Sequence, residues 1–237
     1  MNPQIWGWQH ITYMTIFLSL TIVGLILAKK YAKTERSQTI IIKTLGLALL
    51  IAIVSNRVSI VFKTDIPDWT WLVPDSFCGM SSLVLSLSIL IGKKNNDALH
   101  FIWLIAFAGG IITFFYPEFI DQNIAFFYIP TITGLLHHTL SWILVVTIIL
   151  FDYLHITYKK WYCTLWGFTG YLSVGAFIIS VLGHGDAFSI FNPILAGTPF
   201  TFWVCIPIYT LVYAIILAIF YWLDKRREKK ANIQITK

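Results

Sequence analysis

Three kinds of side chain in this sequence could do chemistry together: the thiol of Cys78 in "VPDSFC", the imidazoles of His137 and His138 in "TGLLHHTLSW", and the guanidinium of Arg57. A thiol beside an imidazole is the basis of nucleophilic acyl transfer, in which the thiolate attacks and the imidazole carries the proton. A guanidinium is a fixed cation whose forked donors suit a phosphate or a carboxylate. Each of these residues lies in a run otherwise fit for hydrocarbon, where an ionisable group is expensive and needs a partner or a task. By residue type alone a cysteine in such a run is an inert small hydrophobe, and Cys163 and Cys205 have no polar company that changes this. The three cysteines show neither disulfide nor zinc spacing, so no metal site is expected.

The elements that position these residues follow from composition. Of the 237 residues 57% are hydrophobic and only 12% charged, with a mean hydropathy of +0.75, which excludes an ordinary soluble domain and indicates an integral membrane protein. A spanning helix needs about 20 predominantly apolar residues. Seven stretches meet that length, at about 10–28, 40–62, 71–92, 99–116, 126–151, 161–183 and 199–223, followed by a basic tail over 224–237. The expected fold is therefore an all-α polytopic membrane protein, one domain of seven transmembrane helices. The net charge of +6 sits in short blocks between apolar runs, which fits cytoplasmic loops and not a nucleic-acid surface.

Basic residues are retained on the cytoplasmic side, and here they segregate. Lys29, Lys30, Lys33 and Arg36, then Lys93 and Lys94, then Lys159 and Lys160, then the "DKRREKK" tail occupy alternate connections. The opposite connections, "KTDIPDW", "YPEFIDQN" and "GHGDAFSIFNPILAGTP", hold Asp65, Asp68, Glu118, Asp121 and Asp186 with Lys63 as their one lysine. The expected topology is N-terminus outside and C-terminus cytoplasmic. The loop over 183–199 is long for its neighbours and is expected to fold back over the outer helix ends.

At about 1.5 Å per residue, this topology brings the polar residues to one level. Asn56 and Arg57 come near the outer end of the second predicted helix, Asp75, Ser76 and Cys78 open the third, and His137 and His138 lie some three turns into the fifth. The loop adds His184 and Asn192 on the same side. Cys78 gains from its place in the first turns of a helix, where the dipole favours a thiolate. Gly134, His138 and Ser141 share one face of their helix, so His138 is the expected proton acceptor and His137, about 100° away, is expected to hydrogen-bond across to another helix. Asp75 matches Arg57 in depth, leaving a structural ion pair and a phosphate site both open for Arg57. Ser82 and Ser86 read as ordinary helix-contact residues.

These segments resemble the YwaF-like bacterial integral membrane proteins, whose relatives include a human transmembrane acyltransferase of ether-phospholipid remodelling. That family opens one helix with Pro-x-His-x-Cys, sets a Ser-His-Gly-like segment in a later one, and precedes its last helix with a polar loop. The counterparts are "VPDSFC", "LLHHTL" and "FNPILAGTPF", with "LIAFAGGIITFFYPEF" similar to the stretch between the first two, so the likeness covers roughly residues 70–220. The resemblance implies cysteine-dependent acyl transfer between phospholipids or lysophospholipids, with Cys78 as nucleophile and His138 as its histidine, in a bacterial cytoplasmic membrane and with no cofactor. Ser76 stands where the family has histidine, and Thr139 where it has glycine. The alternative reading is a seven-helix receptor or transporter that binds a ligand in the same outer polar pocket without chemistry.

Overall fold

Backbone N–H and C=O groups in hydrocarbon have no water to bond, so long apolar runs close their hydrogen bonds internally as helices. The computed structural model describes residues 2–63, 65–194 and 197–235, with the side chains of 224 and 227–235 excepted. Its helices are α1 (Trp8–Tyr31), α2 (Glu35–Val61), α3 (Phe77–Leu90), α4 (Asp97–Phe115), α5 (Ile129–Leu150), α6 (Tyr162–Val181) and α7 (Phe202–Ile235), with no strand among the described residues. Six of the seven are long and apolar enough to cross a membrane.

The exception corrects the expected helix over 71–92. Trp69–Leu72 form a single 3-10 turn, and α3 begins only at Phe77 and has 14 residues. That is about 21 Å at ~1.5 Å per residue, short of the ~30 Å hydrocarbon core. Pro74 brings no N–H to a helix, and Ser76, whose hydroxyl accepts the Gly79 N–H, starts a new one as its N-cap. α1 and α2 also begin before their expected starts at 10 and 40, at Trp8 and Glu35, and a further difference in extent is at the C-terminal end. α7 runs from Phe202 through Ile235, so the basic segment after Leu223 continues the helix, with Lys225 over the Tyr221 ring at 5.7 Å and Arg226 over Trp222 at 3.4 Å.

The chain divides into two compact units, Met1–Leu154 and His155–Lys237. In the first, α5 packs on α2 and α4, and α3 packs on the same two helices. Contacts at the two ends show that successive helices alternate in direction. At one end Lys94 Nζ lies 3.2 Å from Glu35 Oε1, Lys43 Nζ donates to the Leu90 carbonyl at 3.4 Å, and the Asn95 N–H donates to the Tyr153 carbonyl at 3.1 Å. At the other end the Ile5 N–H donates to Asp121 Oδ1 at 3.0 Å, and the buried His10 ring bonds the Phe114 carbonyl at 3.0 Å. α1 joins the core through Tyr13 and Met14, which pack among Phe114, Phe126, Leu135 and Trp142.

In the second unit, α6 and α7 are joined by the loop predicted to fold back. Phe188 and Ser189 take the left-handed conformation, at φ 52° and 56°, turning Phe188 and Ile190 onto α6. Gly175 makes room there, since a Cβ on it would stand 2.8 Å from Ile190 Cδ1. Asp186 holds the turn by accepting the N–H groups of Ala187, Phe191 and Asn192 at 2.8, 3.2 and 2.9 Å.

Candidate functional site

The cluster is assembled within the first unit, at the end that carries Asp121 and the N-terminal residues. α3 supplies the thiol. Cys78 is the second residue of the helix and half-buried, and its first turn is fixed by Ser76, whose Oγ accepts the Gly79 N–H at 3.1 Å and whose carbonyl accepts that of Met80 at 3.0 Å. Ser76 thus acts as a cap.

α4 supplies the surface on which thiol and imidazole meet. A Cβ on Gly109 would stand 2.8 Å from Cys78 Sγ, so the sulfur rests on this glycine. The backbone of the same residue also lies beside the His138 ring. The next residue, Gly110, admits the α5 backbone: a Cβ there would lie 2.8 Å from the His138 carbonyl oxygen. Small residues allowing backbones to approach are the normal device for helix contact in membranes, and "AFAGG" uses the two successive glycines for two different neighbours.

α5 supplies both histidines, which are 4% and 8% exposed for His137 and His138. Their ring centroids are 4.2 Å apart at 31°, so the 100° of helical phase between them does not send them to separate sites. His138 stacks on Phe119 at 6.5 Å. His137 Nδ1 lies 3.1 Å from Ser82 Oγ on α3, and Ser82 lies 2.8 Å from Ser141 Oγ, which in turn donates to the His137 carbonyl at 2.8 Å. Ser141 therefore belongs with His137, although helical phase alone places it with His138.

α2 supplies the cation. Arg57 Nη1 is 3.6 Å from Asp75 Oδ1, its Nη2 donates to Asn56 Oδ1 at 2.9 Å, and its Nε has no hydrogen-bond partner among the described residues. Asn56 is itself held by α5, donating to the Pro130 carbonyl at 3.0 Å and to Thr133 Oγ1 at 3.2 Å. The guanidinium acts electrostatically on both imidazoles. A thiol, two imidazoles and one guanidinium accordingly occupy one neighbourhood.

His184 and Asn192 are in the second unit. His184 is buried there, and Asn192 is committed to Asp186, donating its N–H at 2.9 Å and its side-chain amide at 3.3 Å to Oδ2. Sequence reasoning did not single out Gly109, Phe119 or Thr133, and it set Ser82 aside. The available signal was the spacing of Cys78 and Ser82, four residues apart on one face of α3.

A family model described as the TMEM164 family matches residues 5–224, a span that takes in α1 through the apolar part of α7. No curated protein and no solved structure matches the sequence.

Proposed function

The chain belongs to the TMEM164 family, and from that premise we propose that this multi-pass integral membrane protein is a phospholipid acyltransferase working through a thioester on Cys78. His138 takes the thiol proton, and the thiolate adds to the ester carbonyl of a glycerophospholipid. The ester C–O bond breaks, His138 returns the proton to the departing lysolipid oxygen, and the acyl chain is left on sulfur. A lysolipid hydroxyl then attacks the thioester, the C–S bond breaks and the thiol is restored. Arg57 holds the lipid phosphate through the donor that Asp75 and Asn56 leave free. The Cys78 N–H, in the first turn of α3 and without an intrahelical acceptor, is an oxyanion donor for the tetrahedral intermediate. The chemistry requires no cofactor.

The observation that carries this reading is the shared seat of the Cys78 sulfur and the His138 ring on Gly109. It is supported by the resemblance of "VPDSFC" and "LLHHTL" to a cysteine acyltransferase. The segregation of charge between the two ends of the helices supports a site toward the outer leaflet of a bacterial cytoplasmic membrane.

The test is intact-protein mass spectrometry of the purified chain in phospholipid nanodiscs. Wild type is expected to gain an acyl adduct on Cys78, Cys78→Ala to gain none, and His138→Gln to form it ~100-fold more slowly or worse, the range for loss of a general base. Phospholipid held by Arg57 with no adduct on wild type would instead make the protein a receptor or transporter.

A further inference from the structure

The site has two imidazoles, and the attack on the donor lipid uses one. Counting protons fixes the state of the other. Ser141 has a single hydroxyl proton, donated to the His137 carbonyl at 2.8 Å. The 2.8 Å bond between Ser82 and Ser141 must then be donated by Ser82, which uses the one proton that Ser82 has. Ser82 Oγ can therefore only accept from His137 Nδ1, 3.1 Å away. The ring proton of the neutral imidazole sits on Nδ1, and Nε2 carries a bare lone pair. Ser82 and Ser141 are each 1% exposed and His137 4%, so bulk water does not compete for these bonds and the ring of donors runs one way.

We propose that His137 is a second base of the reaction: its Nε2 receives the hydroxyl proton of the acceptor lysophospholipid, and Ser82 and Ser141 are positioning residues that hold it in the tautomer able to do so. The inference rests on the acyl-enzyme reading of Cys78. His138 shares Gly109 with the sulfur and so serves the thiol. His137 is held one helical turn further along α3, by Ser82, and its ring is 4.2 Å from that of His138, so it adjoins the imidazole that shares Gly109 with the sulfur. In this step the hydroxyl O–H proton passes to Nε2, the oxygen bonds the thioester carbonyl carbon, and the C–S bond breaks with its electron pair on sulfur. The proton then moves from His137 to the thiolate, which restores the thiol and the neutral ring. Nδ1 donates to Ser82 throughout, so the serine relay holds the ring still while Nε2 gains and loses its proton.

The experiment separates the two half-reactions on the full chain in nanodiscs. Adduct formation on Cys78 is followed by mass spectrometry, and transfer from the preformed adduct to added lysophosphatidylethanolamine is followed by lipid analysis. His137→Gln is expected to form the adduct at a rate near that of wild type and to transfer it ~100-fold more slowly, so acyl-Cys78 accumulates. Ser82→Ala and Ser141→Ala are expected to show smaller losses in the same step alone. Adduct formation itself certifies that each variant has folded. In isotope-labelled wild type, the histidine NMR signal of His137 is expected to show a protonated Nδ1 that is lost in Ser82→Ala.

Unaltered transfer in His137→Gln would overturn the inference and leave the acyl-enzyme reading standing. So would joint loss of both steps in His137→Gln and Ser82→Ala, or a bare Nδ1 in wild type. Absence of any adduct on wild type would remove the acyl-enzyme reading, and this inference with it.

Discussion

Gly109 has two neighbours that a larger residue could not accommodate together. Its Cα face takes the Cys78 sulfur, and its backbone lies beside the His138 ring. A methyl added by Gly109→Ala would lie 2.8 Å from Sγ, well inside contact distance, but the atom it meets is the end of a side chain that can turn away. The fold is therefore expected to survive with the thiol displaced from its rotamer. A strained rotamer costs about 0.5–1.5 kcal/mol, which corresponds to a rate loss of roughly two- to tenfold. The expected outcome is slower labelling of Cys78 by a lipid-like thiol probe at unchanged melting temperature. Gly134→Ala is the control, because its methyl would stand 3.4 Å from the Phe119 ring and 3.6 Å from Asn56 Nδ2, ordinary contacts that leave the thiol alone. Equal labelling in all three proteins would mean that the sulfur does not depend on its glycine seat.

At the scale of elements, the site depends on how closely α4 meets α5 and on where α3 begins. Gly110→Ala is expected to do more damage than Gly109→Ala, since its methyl would lie 2.8 Å from the His138 carbonyl oxygen and 3.1 Å from the Trp142 backbone nitrogen. Backbone atoms cannot swing aside, so the helices must part and the cost falls in the overpacking range of about 1–3 kcal/mol. Ser76→Ala removes the cap of α3 for about 0.5–2 kcal/mol and loosens the turn that holds Cys78. Melting in detergent should place Gly110→Ala and Ser76→Ala below wild type and Gly109→Ala beside it.

The same elements show how far the sequence was legible. Apolar length located α5 to within three residues at each end, because a long buried helix has no competing local signal. It misjudged α3, because the apolar residues of "TWLV" extend the run across Pro74 and Ser76, the two residues that break it. Helical phase put Ser141 beside His138, but a serine in a membrane helix hydrogen-bonds the carbonyl four residues back, and that carbonyl is His137's. Gly109 has no side chain to suggest a role, so only the close approach of a sulfur reveals one.

At the scale of the whole molecule the question is which end of the helices faces outward, and the short α3 makes it sharp. If α3 failed to cross, the connections on either side of it would share one face of the membrane. Within the first unit, however, the return is complete: α2 spans about 40 Å from Glu35 to Val61 at ~1.5 Å per residue, and the chain leaving α3 comes back to its start, with Lys94 3.2 Å from Glu35. The 3-10 turn and extended residues before Phe77 supply the length that α3 lacks. The end so reached carries Lys29, Lys30, Lys33, Arg36, Lys93 and Lys94, and the other carries Asp65, Asp68, Glu118 and Asp121 with Lys63; this segregation is the ground for the proposed orientation, with the basic end cytoplasmic and Cys78 toward the outer leaflet. Asp65 and Lys93 are both exposed, so a cysteine at either position can meet reagent. In a background of Cys78→Ala, Cys163→Ala and Cys205→Ala, a membrane-impermeant thiol reagent added to intact cells is expected to label Asp65→Cys and to spare Lys93→Cys until the cells are opened. The reverse pattern would move the proposed acyl-transfer site to the cytoplasmic leaflet, where the acceptor would have to be a lipid of that leaflet. Labelling of both positions from outside would mean that the segment from Trp69 to Leu90 enters and leaves the bilayer on one side.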